Sequence, residues 1–186
     1  MMTVQEFIRW YIDHWEGKLS MNPKDHGNYF NGKLVGSQYG VTGQAYSAWS
    51  GLKDITEETI KSITKDDAVK IGEQLFYLQP RINWLPWNAV SASLIDKCWG
   101  SGNIHAVKIL QEMLRLPQDG FIGKNTVNAF TAYVAEKGEE QAARDFAKYR
   151  IAYDKSLHQS TFTDGWINRT NGFLPGTPFW KEFHND

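Results

Sequence analysis

Val4, Phe7, Ile8, Tyr11, Ile12 and Trp15 recur at three- and four-residue steps from the start of the chain. That period predicts an amphipathic helix with one buried stripe. Thr3, with Glu6 three residues on, forms a capping box that starts it, and Gly17 is placed to end it at the C′ position. Glu16 then falls in the last turn, at the edge of the stripe carried by Ile8 and Ile12. A carboxyl there is partly desolvated and faces the negative end of the helix dipole. Both effects favour its protonated form.

Residues 20–55 hold no helical period and are rich in Gly, Asn, Ser and Tyr. Asn31-Gly32, set between "YF" and "KLV", is a two-residue hairpin signal. A small β-element with loops is expected, continuing into the tight backbone of "GSQYGVTGQAYSAW". Helical patterns then return. They comprise a short helix in "TEETIKSIT" and others from Thr64 to before Pro80, Asn88 to near Gly100, Asn103 to before Pro117, and Asn125 or Thr126 to Gly138. A long helix in "EEQAARDFAKYRIAYDKSL" places Ala142, Phe146, Tyr149 and Tyr153 on one face. From Thr161 the chain reads as irregular, anchored by Trp166 and Trp180. The prediction is a mainly α protein: one helix, a small β-region, then a helical body.

Composition narrows the function. A net charge of −1 with no run of like charge points away from nucleic acid and from a polybasic membrane contact. Cys98 is alone, which excludes an intramolecular disulfide and a cysteine metal cluster. No stretch approaches the roughly 18 consecutive apolar residues of a membrane span. "MMTVQEFIRWYIDHW" lacks a basic n-region, so no signal peptide is read there. With 8 Trp in a chain that is 14% aromatic, core packing accounts first for any single ring, but the excess tilts the reading toward a carbohydrate cleft.

The acids carry the chemistry. Cleaving a glycosidic bond takes a proton donor and a second carboxylate that activates water or stabilises positive charge. Glu16 has the surroundings for the first role, and Asp25, in a polar loop, those for the second. Their spacing alone is weak, because acids fall nine apart by chance.

The residues beyond Asp25 strengthen the pair. Glu16-Gly17, Asp25, then Ser37 shortly before Gly40 resembles the active-site segment of phage-type lysozymes. More closely, Glu16-Gly17-Lys18-Leu19, Asn22-Pro23-Lys24-Asp25-His26-Gly27 and Ser37-Gln38-Tyr39-Gly40-Val41-Thr42 resemble the hallmark blocks of glycoside hydrolase family 108. That family comprises bacterial and phage N-acetylmuramidases, some described as secretion activator proteins. "DKCWGSGNIHAVKILQEMLRLPQDGFIGKNT", ending in Asp119-Gly120-Phe121-Ile122-Gly123-Lys124-Asn125-Thr126, is similar to the family's C-terminal peptidoglycan-binding-type region. "AKYRIAYDKSL" and "DGWINR" match its Tyr-Arg helix and Gly-Trp-x-x-Arg. The resemblance runs from about Val4 to Arg169. Lys18 and Leu19 stand where the family has Gly and Tyr, Ser37 replaces a threonine, Gly100 replaces a usual asparagine, and the gap from Gly27 to Ser37 is lengthened by the Asn31-Gly32 hairpin.

The resemblance implies a lysozyme-like α+β fold whose first helix ends in the catalytic glutamate. It implies a catalytic part over residues 1–80 and a helical peptidoglycan-binding-type part over 81–186, packed in one globule. Glu16 would be the general acid, with Asp25 and Ser37 positioning and activating water. The outcome would be inverting hydrolysis if the carboxylates stand roughly 6.5–9.5 Å apart. The substrate would be the MurNAc-β-1,4-GlcNAc bond of peptidoglycan strands, attacked by a monomer at the cell wall with neither metal nor other cofactor. Two alternatives stay open: a lytic transglycosylase on the same bond, and a non-catalytic wall-binding or secretion-related protein on the same scaffold.

Other residues carry two readings each. His14 reads as a surface histidine, whereas His26, beside Asp25, has a better claim to the cleft. Tyr39 and Trp49 line a sugar groove or pack under the hairpin. Asp96 and Arg169 are substrate-cleft residues or a buried pair. Asp119-Gly120 reads first as a turn into a helix capped near Asn125. His105 and His158 lack metal-ligand spacing, and Ser37 with His26 lacks the Gly-x-Ser-x-Gly elbow of a serine hydrolase.

Overall fold

A computed structural model describes residues 1–185. The chain is mainly helical with two small antiparallel sheets, the lysozyme-like architecture, and divides into two compact units. Thr3–Leu75 forms the first. Phe76 onward, joined by Met1 and Met2, forms the second.

In the first unit, α1 (Val4–Trp15) starts at Thr3, whose hydroxyl accepts from Glu6 N–H while the Glu6 carboxylate accepts from Thr3 N–H. Its apolar stripe, Phe7, Ile8, Tyr11 and Ile12, is fully buried and packs on α4 (Lys65–Glu73), which contributes Ala68 and Ile71. Burying each such side chain stabilises by about 1.5–3 kcal/mol. The exposed Arg9–Asp66 and Lys65–Asp13 ion pairs add little beside that.

Between these helices lie five two-residue strands. β1 (Leu19–Ser20), β4 (Ser37–Gln38) and β5 (Val41–Thr42) form one sheet in the order β1-β4-β5; β2 (Tyr29–Phe30) and β3 (Lys33–Leu34) form the other. Asn31 and Gly32 close the β2–β3 hairpin with φ of 49° and 78°, the type I′ geometry expected of Asn-Gly. Tyr39 and Gly40, at 50° and 75°, close the β4–β5 hairpin the same way, which the sequence signals less openly because Tyr is rare at φ > 0. α2 (Gly43–Ser50) and α3 (Glu57–Lys61) follow.

In the second unit α5 (Ala89–Ser101) is buried without a break from Ala89 to Cys98. It packs against α6 (Asn103–Met113) and α8 (Glu139–Ser156), and α8 also carries α7 (Lys124–Lys137) and α9 (Ser160–Asn171). α10 (Pro178–His184) seals this core with Phe179, Trp180 and Phe183. Met2 is held there by Phe183 O, which accepts from its N–H at 2.7 Å, and by Trp87 Nε1, which donates to its carbonyl at 2.8 Å.

Four expectations are corrected. α2 occupies part of the stretch read as loop, because Thr42 caps it by accepting from Ala45 N–H. The tail from Thr161 is helical, not irregular: α9 occupies 160–171, and α10 begins at the Thr177 cap with Pro178 in its first turn. α7 begins at Lys124, with Gly123 rather than Asn125 at its N-cap. Gly17 follows the helix at the C′ position as expected, but Glu16, expected within the last turn, is the C-cap itself. Glu16 N–H still donates to Ile12 O, but its φ and ψ of −112° and 116° are extended, because the next residues run straight into β1.

Candidate active site

Glu16 therefore sits at the C-cap of α1, half-buried, where helix passes to strand. The Tyr11 hydroxyl and the Gly40 turn both bear on it. The Tyr11 hydroxyl donates to Glu16 Oε1 at 2.9 Å, and Tyr11 is itself fully buried, so the acid is tethered to the core. A buried phenol needs a partner for its O–H, and Glu16 supplies it. On the other side lies Gly40. A Cβ built there would stand 2.7 Å from Glu16 Cγ, 2.8 Å from Cδ and 2.9 Å from Oε2. The hairpin turn thus closes directly over the carboxyl, and Gly40 is required both by its φ of 75° and by the lack of room. Tyr39 N–H donates to Gly17 O at 3.1 Å, locking that turn to the residue after the acid.

Asp25 lies on an exposed turn held rigidly. It caps the 3-10 turn His26–Asn28, and its Oδ1 accepts from Gly27 N–H at 2.9 Å. Among the described residues its Oδ2 takes no hydrogen bond, which leaves that oxygen to water. The turn is anchored from beneath by Asn28, which is fully buried. Its side-chain amide donates to Asn22 O and Ser20 Oγ, and its carbonyl accepts from both Val35 and Gly36 N–H at 2.9 Å. Asn22 Oδ1 accepts from Lys24 N–H, and the Tyr29 hydroxyl donates to Pro23 O, completing the brace.

Ser37 sits in β4 directly opposite Ser20 on one side and Thr42 on the other, so three hydroxyl side chains share one sheet face. The outer two both reach toward the Asp25 turn. Ser20 Oγ meets Asn28 Nδ2 at 3.3 Å, and Thr42 Cγ2 lies 3.4 Å from the position of a Cβ on Gly27. Ser37, between them, is on the face that looks at this turn.

The remaining candidates are dispersed. His26 is exposed beside Asp25. Tyr39 is half-buried at the turn above Glu16. Trp49 is exposed on α2 and packs on Tyr46, ring centroids 5.7 Å apart. His14 Nδ1 is bonded to Trp10 O and its ring stacks on Trp10, as suits a histidine on the helix surface. Asp96 and Arg169 belong to the second unit, where Arg169 Nε donates to Asp96 Oδ1 at 2.6 Å; Asp96 is buried and the Arg169 side chain is partly exposed. Asp119 and Gly120 form a turn organised by the buried Gln111, whose Nε2 donates to Asp119 Oδ1 at 2.8 Å and whose Oε1 accepts from Gly120 N–H at 2.9 Å. Lys18 and Leu19 are exposed, Leu19 opening β1.

Tyr11, Asn28 and the steric role of Gly40 are parts of the site that sequence reasoning missed. Tyr11 carried a signal, since a tyrosine on a buried stripe needs a polar partner for its hydroxyl.

The sequence profile of glycosyl hydrolase 108 matches residues 9–102, which span Glu16, Asp25, Ser37 and Gly40. The chain belongs to the glycosyl hydrolase 108 family. A second profile, a predicted peptidoglycan domain, matches residues 105–171. The fold is similar to the solved structure of Brucella abortus SagA, with a TM-score of 0.74 and 29% identity over 88% of this chain and 87% of that one. No curated protein matches the sequence. Family and second domain together make the chain a glycoside hydrolase directed at peptidoglycan.

Proposed function

We propose that the chain is an N-acetylmuramidase that hydrolyses the MurNAc-β-1,4-GlcNAc bond with inversion. The observation that carries this reading is the Glu16 carboxyl, clamped between the Tyr11 hydroxyl and the Gly40 turn in a glycosyl hydrolase 108 chain. In this reading Glu16 gives its proton to the glycosidic oxygen as the C1–O bond breaks. Asp25, through its open Oδ2, takes a proton from the water whose oxygen forms the new C1–OH, and Ser37 holds that water. Asp25 then returns its proton to solvent and Glu16 is reprotonated from it, which restores both carboxyls. His26, Tyr39 and Trp49 serve as sugar contacts, with Trp49 offering an exposed aromatic face. Residues 1–80 carry the chemistry, 81–186 hold the wall, and the place of action is the cell wall.

The test is product mass. Hydrolysis of purified peptidoglycan gives reducing muramic ends, whereas a transglycosylase gives 1,6-anhydro ends one water lighter. Anhydro products would overturn the hydrolytic assignment, and no release at all would favour a binding protein.

Gly40→Ala is a sharper check on the clamp. The left-handed conformation costs an Ala roughly 1–2 kcal/mol, and its Cβ would displace the Glu16 carboxyl. Wall-clearing rate is expected to fall by about a hundredfold, as misplacement of a catalytic group by an ångström does, while the thermal midpoint falls only modestly. Full activity in this variant would show that the turn does not position the acid.

A further inference from the structure

In the second unit two hollows, of about 850 and 260 Å³, share Arg81, Phe121 and Ile122 as a common wall. The larger reaches Ile104 at the start of α6, and the smaller runs along the start of α7. Phe121, common to both, is 65% exposed. Its turn does not let the ring fold away. The buried Gln111 donates to Asp119 Oδ1 at 2.8 Å and to Phe121 O at 3.0 Å, and it accepts from Gly120 N–H at 2.9 Å. Phe121 N–H donates to Asp119 Oδ1 at 2.9 Å. Gly120, at φ 80°, lies so close to Ile104 that a Cβ would stand 2.7 Å from its Cγ2. An aromatic ring is thus held out in water by a turn whose N–H and C=O are both spent.

Arg81 is the second fixed element. Its backbone is left-handed, with φ 63°, between its own N–H bond to Leu78 O and the Trp84 N–H bond to its carbonyl, both 3.0 Å. That conformation is costly for a residue with a Cβ and persists only where its surroundings impose it. The guanidinium lies over the exposed Trp84 ring, 4.5 Å from its centre. Stacking fixes the plane of the cation and leaves its N–H groups pointing outward around the edge. Among the residues that line the hollows only Asp119 is acidic, and its Oδ1 is engaged by Gln111 and by Phe121 N–H, while Lys124 adds a second cation. α6 and α7 each start at a lining glycine, Gly102 and Gly123, with no side-chain cap, so backbone donors are added to the charged ones.

The cleft therefore offers an aromatic face, a planar cation and hydrogen-bond donors. A glycan of N-acetylated amino sugars is complementary to all three. The C–H bonds on one face of a sugar ring settle on the negative face of an aromatic ring. Acetyl carbonyls and ring hydroxyls accept hydrogen bonds. The 3-O-lactyl arm of a muramic residue, where no stem peptide is attached, ends in a carboxylate that a guanidinium can hold through two N–H groups. We propose that this cleft binds a stem-free stretch of the glycan strand of peptidoglycan, with one sugar stacked on Phe121 and a muramic carboxylate paired with Arg81. The assignment rests on peptidoglycan being the substrate. It gives a grip on the strand to the unit that carries neither Glu16 nor Asp25.

The test uses the full chain carrying Glu16→Gln, so that no probe is cut, and follows NMR shifts at Ile104, Phe121 and Lys124, all lining residues. Three probes are compared: the tetrasaccharide (GlcNAc–MurNAc)2 with free lactyl acids, the same tetrasaccharide with those acids amidated, and the stem dipeptide L-alanyl-γ-D-glutamate. The free-acid tetrasaccharide is expected to bind saturably, the amidated one about tenfold more weakly, since a charge-assisted hydrogen bond is lost, and the dipeptide not at all. Phe121→Ala should weaken the free-acid probe about tenfold through loss of stacking, with no fall in thermal midpoint, because the ring is exposed. Arg81→Gln should bring the acid and its amide to equal affinity. Equal binding of acid and amide by the chain that keeps Arg81, binding of the dipeptide as tight as that of the tetrasaccharide, or an unaffected Phe121→Ala variant would each overturn the proposal. Self-association of the chain that Phe121→Ala abolishes and the tetrasaccharide does not displace would make this face an interface between copies and overturn it too. Release of reducing ends by the wild type without binding at these residues would overturn this site alone. Binding here without any glycan cleavage by the wild type would overturn the muramidase reading and leave the site standing.

Discussion

Glu16→Gln is expected to abolish the release of reducing ends from purified peptidoglycan while leaving the fold unchanged. Gln keeps the volume of Glu and retains an oxygen to accept from the Tyr11 hydroxyl, so the clamp formed by Tyr11 and Gly40 survives. What disappears is the transferable proton. General acid catalysis contributes about 10²- to 10⁴-fold, and departure of a sugar alkoxide without it is slow enough to put the variant at background. Reducing-end assays would be paired with circular dichroism and the thermal midpoint. Activity within tenfold of wild type would move the proton donor to another residue. Unfolding would instead mark Glu16 as a structural cap, although its backbone bond to Ile12 does not depend on the side chain.

Asp96→Ala is expected to produce the largest loss of stability of any single substitution in the second unit. Asp96 lies in α5, 2% exposed, and accepts from Arg150 Nη2 and Arg169 Nε. Burial alone would drive its carboxyl toward the neutral form; the Arg150 guanidinium opposes that through charge and hydrogen bond. Truncation removes the shared anion and leaves the buried Arg150 guanidinium without its carboxylate, with Lys97 beside it. Breaking a buried pair from one side costs about 3–5 kcal/mol. For a chain of this size each kcal/mol shifts the midpoint by about 2–4 °C, so calorimetry should show a fall of roughly 6–20 °C. A fall under about 2 °C would mean that water, rather than Asp96, satisfies the guanidiniums.

Much of this architecture is legible in the chain itself, and for local reasons. Thr3 with Glu6, Thr64 with Asp67, and Asn88 mark helix starts because each side chain satisfies N–H groups within three residues of itself. Asn31-Gly32 marks its turn because both residues tolerate positive φ. α2 and α9 are hidden because neither shows a clear apolar stripe: of α2 only Gly43 is buried, and of α9 only Thr170. α10 is hidden although Thr177-Pro178 is a legible start signal, since it is short and follows an irregular run. At the site, Glu16 can be placed by its phase against Ile8 and Ile12, but its contact with Gly40 is non-local and leaves no periodic trace. The charge cluster is half visible. α5 is apolar or small nearly all round, and a charged pair such as Asp96-Lys97 in a fully buried helix must find partners. Only the fold reveals which they are: Arg150 and Asp154, one turn apart on α8, and Arg169 on α9.

The Tyr11 tether carries one more consequence. Tyr11 is a core side chain first, with its ring 6.1 Å from that of Phe7 and no exposed surface, and only its oxygen reaches the acid. The aim of the Glu16 carboxyl is therefore set in part by the packing of α1. Small volume changes deep in that packing, at Phe7 or Ile8, would swing the phenol and with it the carboxyl long before the unit came apart. Heat would then inactivate this protein at a lower temperature than it melts it, and selection for rate would be felt as selection on residues that never meet a sugar.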